Sequence, residues 1–346
     1  MNALTLTCSR ETVNLPSGAT ILVSFVAGKV LSSFENVAFQ ERQVFEAGEL
    51  VLVRVLENSM GKPLRLSDLS IVVPEPGDLL VCLVGANASF KLDVIEVPRD
   101  STATWIVVNR AGLVGQPVFG VADQNALLVK YVATLMLEKV PLKLVDRLPV
   151  QCGFEKPIIA VIGTDTNTGK TVTTAKLISE LKQLGVKVGA CKLTGICGDD
   201  PLSYFEAGAD QVVDFSDAGR ASTICNEQLA VEAALKCISY LQSNDVIVAE
   251  FGSSLLGQHP ILPILSALNS AKLKVVVCGS EATAALGAMF LLSTVGVQPA
   301  LFSGIMANSE LACKILAQRT EISALSVNKQ LIPSLLFEEM KNVETC

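Results

Sequence analysis

Residues 163–171 read Gly-Thr-Asp-Thr-Asn-Thr-Gly-Lys-Thr, and these residue types in this order suit the binding of a phosphate anion. Gly163 and Gly169 bracket the loop, so the backbone can turn its N–H groups inward around a negative charge. Lys170 offers an ammonium to β- and γ-phosphate oxygens, and the Thr171 hydroxyl is a ligand for Mg²⁺. An apolar run, Ile158, Ile159, Ala160, Val161 and Ile162, precedes the loop, and a helical pattern follows it. A strand, a glycine-bounded loop ending in Gly-Lys-Thr, and then a helix form the setting in which a P-loop works, because loop amides and helix N-terminus aim at one point. The expected nucleotide contacts are Gly163, Thr164, Asp165, Thr166, Asn167, Thr168, Gly169, Lys170, Thr171 and Val172.

Other candidates follow from the rule that parallel α/β sheets bind ligands beyond the carboxyl ends of their strands. The run at 186–190 leads to Lys192, Thr194 and Gly195, and a lysine in such a glycine-rich loop can neutralise charge developing on a transferred phosphoryl group. The run at 245–249 ends on Glu250, the usual place for a carboxylate associated with Mg²⁺. The run at 274–278 leads to Gly279 and Ser280, and the run at 300–306 leads to Asn308. Asp199, Asp200, Asp210, Asp214 and Asp217 crowd one segment; one of them is expected to assist the metal, directly or through water, and the others to serve turns and caps. Arg220 could bind a substrate anion or sit in a surface salt bridge. His259 belongs to no motif.

The elements that must position these residues divide the 346-residue chain into an expected two domains. Residues 1–150 read as a β-rich barrel or sandwich. The runs at 20–26, 50–56, 70–73 and 79–84 are punctuated by turn formers such as Pro16-Ser17-Gly18 and Pro76-Gly77-Asp78. The stretches at 46–55 and 75–84 echo each other, a turn followed by an alternating strand. Apolar residues at three- and four-residue spacing predict a helix over 122–138. The junction is placed near 145–156, and 151–346 alternates strand and helix. That alternation predicts a mostly parallel sheet covered by helices on both faces. Gly185 is the expected C-cap of the helix after the P-loop, Asn226 is the expected N-cap of a helix over 226–243, and Trp105 reads as a packing residue.

Composition narrows the partners. A net charge of −7 and a pI near 5.0 argue against a nucleic-acid surface. No uninterrupted apolar run reaches the roughly 18–20 residues of a membrane span. The first residues show neither a basic start nor an apolar core segment, so no secretory signal is expected. The ten cysteines are scattered, without a C-x-x-C, and a single histidine cannot build a His-rich metal site. Reduced thiols in a cytoplasmic protein are the expectation.

The segment GTDTNTGKT closely resembles the P-loop of the dethiobiotin synthetases. KLISELKQLGVKVGACKLTG is similar to that family's helix, strand and second lysine loop, AEFGSSLLG to its glutamate- and glycine-rich segment, and VVVCGSEATAALGAMFLLSTVGVQPALFSGIMANS to its late strands and asparagine loop. The resemblance covers most of 157–310 and implies a nucleotide-binding fold of the group that includes MinD, cobyric acid synthase and the nucleotide-binding molybdopterin-guanine dinucleotide proteins. It implies that Lys170 and Lys192 contact phosphates, that Thr171 and Glu250 hold Mg²⁺, and that Asn308 lies near the base. Asn167-Thr168 stand where that family commonly has Glu-Val, 198–223 does not resemble its diaminopelargonic acid site, and the N-terminal domain is extra. The whole arrangement also resembles an uncharacterised bacterial P-loop family, related to a group containing a D-glutamate N-acetyltransferase, in which the loop would hold the phosphate of a CoA thioester.

Three functions are therefore expected to compete. The first is an ATP- and Mg²⁺-dependent enzyme that phosphorylates or activates a small carboxylate or amine. The second is an N-acyltransferase that grips a CoA thioester through the same loop. The third is a nucleotide-switched binding protein without turnover. The second substrate is expected at the loop 196–223, and analogy with related P-loop enzymes suggests a homodimer.

Overall fold

The computed structural model describes residues 21–31, 37–88, 94–118, 126–149, 154–269 and 272–331. The N-terminal stretch without a signal pattern, part of the junction near 145–156 and the first residues of the 122–138 segment lie outside them. The N-terminal part holds β1 (Ile21–Val23), α1 (Phe25–Leu31), β2 (Ala38–Gln40), β3 (Leu50–Glu57), β4 (Leu64–Arg65), β5 (Ile71–Val72), β6 (Leu79–Val84), β7 (Ile95–Glu96), β8 (Thr104–Val107), β9 (Leu113–Pro117), β10 (Leu127–Leu137) and β11 (Val140–Pro141). The main sheet runs β1-β6-β3-β10-β8-β9-β7, and an added β6–β9 pairing closes it into a barrel. Closure removes the free edges a flat sheet would expose.

The two echoing stretches are partners. β3 and β6 pair antiparallel from Leu50↔Leu83 to Arg54↔Leu79. Each turn glycine donates to the far end of the other strand, Gly48 N to Val84 O at 2.8 Å and Gly77 N to Val55 O at 2.9 Å. The similar sequences thus build two halves of one pseudo-symmetric ladder. Trp105 is fully buried and packs edge-on against Phe45, with ring centroids 5.0 Å apart.

Two local expectations fail here. The helix expected over 122–138 is instead the strand β10 wherever it is described. It pairs with β3 and β8 and, further along, with β2. The sequence of β10 is almost continuously apolar, although its burial alternates up to Val132, so periods of 2 and 3.6 fit the residue types equally well; the β-branched Val129, Val132 and Thr134 favour the strand. The run at 20–26 stops as a strand at Val23, and Phe25 opens α1.

The second part holds β12 (Ile158–Gly163), α2 (Lys170–Gln183), β13 (Val188–Thr194), α3 (Asp200–Glu206), β14 (Gln211–Asp214), α4 (Glu227–Tyr240), β15 (Val246–Phe251), α5 (Ile261–Leu268), β16 (Leu273–Cys278), α6 (Ala282–Ser293), β17 (Pro299–Ser303), a 3₁₀ turn (Ile305–Asn308) and α7 (Glu310–Thr320). Its 6-stranded sheet has the order β14-β13-β15-β12-β16-β17, and every pairing is parallel. Apolar clusters fill both faces. Gly185, at φ +76°, follows the last turn of α2, where only a residue without Cβ turns left-handed at little cost. Asn226 caps α4 by accepting from Gln228 N and Leu229 N.

Barrel and parallel sheet share a core. Val26, Val30, Leu113 and Leu144 join Ile196, Phe215, Ala218 and Ala233 in one cluster. Lys29 Nζ reaches across to Asp214 Oδ2 at 2.9 Å, and Asn109 Nδ2 donates to Cys197 O at 2.6 Å. The loop 196–223, expected to bind substrate, is therefore mostly the surface on which the barrel docks. The described cysteines are free thiols, and no helix among the described residues is long and apolar enough to cross a membrane.

Candidate functional site

The carboxyl ends of β12, β13 and β15 open into a cavity of about 470 Å³ lined by Thr166, Asn167, Gly169, Lys170, Thr171, Val172, Lys192, Gly195, Ile196, Gly198, Asp199, Asp200, Glu250, Gly252, Ser253, His259 and Ile305, with Asn87 and Asn109 from the barrel. This volume lies within the range of small-molecule sites.

The P-loop is held in shape by its own hydrogen bonds. Thr166 N donates to Asp165 Oδ1 at 2.6 Å, Thr168 Oγ1 to Asp165 O at 3.1 Å, and Lys170 Nζ to the same carbonyl at 2.7 Å. The lysine is thereby stretched across the loop. Asn167 takes φ +60° and Gly169 φ +93°; asparagine is among the few side chains that tolerate this region. Neighbouring strands pin the loop from outside: Thr164 N donates to Cys278 O at 3.0 Å and Ile305 N to Thr168 O at 3.2 Å, and Ser254 Oγ donates to Thr164 O at 2.8 Å.

The tightest of these supports is Gly304, at φ +82°, where an added Cβ would sit 2.3 Å from the Thr168 carbonyl oxygen. Gly304→Ala is expected to cost about 2–4 kcal/mol through backbone strain and overlap and to displace the P-loop. Urea unfolding checks this, and a wild-type midpoint would show that the contact is dispensable.

Around Thr171 the structure brings in one of the crowded aspartates, Asp200. Thr171 Oγ1 lies 3.2 Å from Asp200 Oδ1 and 3.1 Å from Glu250 Oε1. One hydroxyl proton can serve only one carboxylate at a time. Tyr204 donates to Glu250 Oε2 at 2.6 Å, and Lys192 Nζ is paired with Asp200 Oδ2 and donates to Ile196 O at 3.2 Å. Burial and then the Asp200 charge hold the Glu250 carboxyl above its ordinary range. Burial also works against the Lys192 charge, but the Asp200 and Glu250 carboxylates outweigh it and raise the lysine. Lys170 is pushed below its usual value by burial, with Glu250 opposing.

Lys192 differs from expectation in one respect. It is not a loop residue: β13 continues to Thr194, and Lys192 stands in register with Glu250 on one side and Asp214 on the other. The other aspartates have separate work. Asp199 Oδ2 binds Arg65 Nε at 2.8 Å and Arg110 Nε at 2.6 Å, both from the barrel. Asp210 pairs with Lys182 at 2.7 Å, Asp214 pairs with Lys29, and Asp217 accepts from Asp214 N at 2.9 Å.

Some candidates are not brought to the cavity. Asn308 is exposed, and its Oδ1 accepts from Ser326 Oγ at 2.9 Å; Ile305 of the same turn lines the cavity instead. Thr168 and Asp165 shape the loop through their side chains and Thr164 through its backbone, and neither Arg220 nor Ser280 is among the lining residues. Tyr204, Gly304 and the barrel asparagines Asn87 and Asn109 were not legible as site residues. Only Gly304, ending a strand, carried a local signal.

His259 is buried, and its Nδ1 lies 2.7 Å from Thr223 Oγ1. Burial and the nearby Lys192 ammonium push its pKa down to about 4. Its ordinary value is near 6.5, so between about pH 6.5 and 4 the unfolded chain takes up a proton that the native state refuses. The stability held above pH 6.5 is therefore lost on acidification, by about 3 kcal/mol in total from this group. A ¹⁵N NMR titration of the sole imidazole checks the value directly, and His259→Gln should flatten this part of the stability–pH profile.

The cluster has the donor chemistry of a Mg²⁺ site. Oxygen ligands alone face it, and two carboxylates compete for one hydroxyl, an arrangement that a cation relieves. No group of three or more His, Cys, Asp and Glu side chains that could hold a metal ion occurs among the described residues.

No family model matches the chain. It is 32% identical over 139 residues to the ATP-dependent dethiobiotin synthetase BioD of Lysinibacillus sphaericus (strain C3-41), a match covering 34% of this chain and 59% of that protein's length. Similar solved structures include a duf1611 family protein from Anabaena variabilis, 17% identical with a TM-score of 0.39, covering 56% of this chain and 61% of that one. The nucleotide-binding protein of Archaeoglobus fulgidus in complex with ADP is 13% identical with a TM-score of 0.38, over 55% and 88% of the two chains. The signal recognition particle receptor FtsY from Elizabethkingia anophelis is 14% identical with a TM-score of 0.37, over 55% and 67%. The strand–loop–helix geometry of 158–183 itself establishes a P-loop α/β unit, in agreement with the curated relative.

Proposed function

We propose that the protein is a Mg²⁺-dependent P-loop enzyme that uses ATP to phosphorylate or otherwise activate a small metabolite bearing a carboxylate or an amine. One observation carries this reading: the Thr171 hydroxyl is shared by the Asp200 and Glu250 carboxylates within a cavity that also receives Lys170 and Lys192. Binding of a CoA phosphate needs the loop amides and a lysine, but it gives no reason to set two carboxylates, one of them buried, against the P-loop threonine. Those carboxylates suit a nucleoside triphosphate carried with its metal.

In this reading Thr171, Asp200 and Glu250 would hold Mg²⁺, which when bound neutralises charge on the β- and γ-phosphate oxygens. The chain's own contribution is positioning and fixed charge. The loop amides and Lys170 hold the phosphates, while Lys192, kept charged by Asp200 and Glu250, faces the space between the P-loop and the barrel. Its ammonium is placed to balance charge that develops on the transferred group, without reorganisation at the moment of reaction. Asn87 and Asn109 wall that space from the barrel side and limit the substrate to a small molecule.

Thermal unfolding with Mg-ATP, Mg-GTP and acetyl-CoA tests the assignment, since a ligand of the native state raises Tm. Mg-ATP is expected to stabilise and acetyl-CoA is not. Stabilisation by acetyl-CoA alone would overturn the proposal in favour of acyl transfer. ATP binding without turnover, whatever acid or amine is offered, would favour a nucleotide-switched binding protein.

A further inference from the structure

The cavity extends beyond the phosphate loop, and on its far wall stands His259, the only histidine of the chain. It lies between β15 and α5, is 3% exposed, and lines the cavity together with Lys192, Gly195 and Gly252. The Thr223 oxygen accepts from Gly195 N at 2.9 Å. Its single hydroxyl proton has two acceptors within reach, His259 Nδ1 at 2.7 Å and Gly195 O at 3.4 Å. The shorter contact is the better hydrogen bond. With Nδ1 accepting, a neutral imidazole carries its proton on Nε2. That nitrogen is buried and has no hydrogen-bond partner among the described residues.

A buried N–H without a partner is costly, and an orphan of this kind in the wall of a cavity needs an explanation. Here Thr223 ties one nitrogen to the loop after β13 and holds the ring, and the other has no partner among the described residues.

We propose that His259 is a binding residue for the second substrate, its Nε2–H donating to an oxygen of a carboxylate held beside Lys192. The proposal rests on the two-substrate reading of the cavity given above. The choice of a carboxylate follows from charge. The Lys192 ammonium lines the same cavity and acts on the imidazole; already paired with Asp200, it has a donor left for a carboxylate oxygen that also accepts from the N–H, whereas an amine would meet two donors. Asn109 is partly committed elsewhere, with one Nδ2–H and its Oδ1 already engaged. Its Nδ2 donates to Cys197 O at 2.6 Å, and its Oδ1 accepts from Gly112 N and Leu113 N, each at 3.1 Å.

Because the chain has one histidine, ¹⁵N-labelled imidazole gives a single pair of ring signals, and acetate serves as the minimal carboxylate. In the full-length protein at neutral pH, with Mg²⁺ and a non-hydrolysable ATP analogue, the Nε2–H tautomer is expected. Acetate, against chloride at matched ionic strength, should shift Nε2 in a saturable way. Loss of one charge-assisted hydrogen bond in His259→Gln should weaken acetate binding about tenfold to a hundredfold, read as the acetate-dependent rise in Tm. Thr223→Val should populate the other tautomer and weaken the same response. A proton on Nδ1 in the wild type, an Nε2 signal unmoved by acetate, or an unaltered acetate response in His259→Gln would each overturn the proposal. The Mg-ATP-dependent rise in Tm, followed in the same samples, reports separately on the nucleotide reading, so the two can fail independently.

Discussion

Lys170→Ala is expected to erase most of the thermal stabilisation conferred by Mg-ATP. The wild-type ammonium is 6% exposed and already spans the loop to Asp165 O, so little rotamer freedom remains to be lost when phosphate binds. Each charge-assisted hydrogen bond from such a group contributes about 1.5–3 kcal/mol, and losing the lysine should raise Kd about a hundredfold or more. At a nucleotide concentration of about 100 Kd the wild type gains roughly 2.7 kcal/mol. The variant, brought to about its own Kd, keeps only about 0.4 kcal/mol. For a chain of this size that separates a Tm rise of several degrees from one of about a degree. Circular dichroism of the ligand-free variant guards against simple unfolding. An undiminished rise in Tm would remove Lys170, and with it the P-loop, from nucleotide binding.

Glu250→Gln is expected to move stability and function in opposite directions. The carboxyl is 2% exposed and is held above its ordinary range by burial and by Asp200. A group whose native pKa is raised binds its proton more tightly folded than unfolded. The ionised form therefore destabilises the native state, and that penalty is relieved as pH falls through the raised native value. Glutamine keeps the shape, can still accept from Thr171, and carries no charge, so the ligand-free variant should be more stable than the wild type. Mg²⁺ binding should suffer, with the Mg²⁺ concentration needed for ATP stabilisation and phosphate release rising about tenfold to a hundredfold, the range seen for carboxylates that support a metal site. Tm measured against Mg²⁺ at fixed ATP shows both effects in one titration. Unchanged Mg²⁺ dependence would exclude Glu250 from metal binding, whereas a less stable ligand-free variant would mean that the buried charge is better compensated than its neighbours suggest.

The P-loop was legible because everything that makes it is local. Ile158 to Ile162, the glycines at 163 and 169, and Lys170-Thr171 are contiguous, and a short turn feeding a helix N-terminus is specified by its own dihedral preferences. The caps at Gly185 and Asn226 were legible for the same reason. Glu250 was found because a carboxylate ending an apolar run is conspicuous. Lys192 was found by type but misplaced by two residues of strand. The helix expected over 122–138 fails at 127–137 because apolar residues on both faces of this strand, even where they are only partly buried, blur the period that distinguishes strand from helix.

The sequence alone thus determined a phosphate-binding loop on a parallel α/β sheet, a β-rich partner before it, and two lysines and a glutamate near the strand ends. The tertiary structure decided which aspartate joins them. Asp200, Asp199 and Asp214 are equivalent in composition, but α3 sets Asp200 against Thr171 and Lys192, while the barrel takes up Asp199 through Arg65 and Arg110 and Asp214 through Lys29. It also decided that the loop 196–223 chiefly carries the barrel and that His259 joins the cavity through Thr223. These outcomes depend on contacts between residues far apart in the chain, which register and packing create and local residue types do not encode.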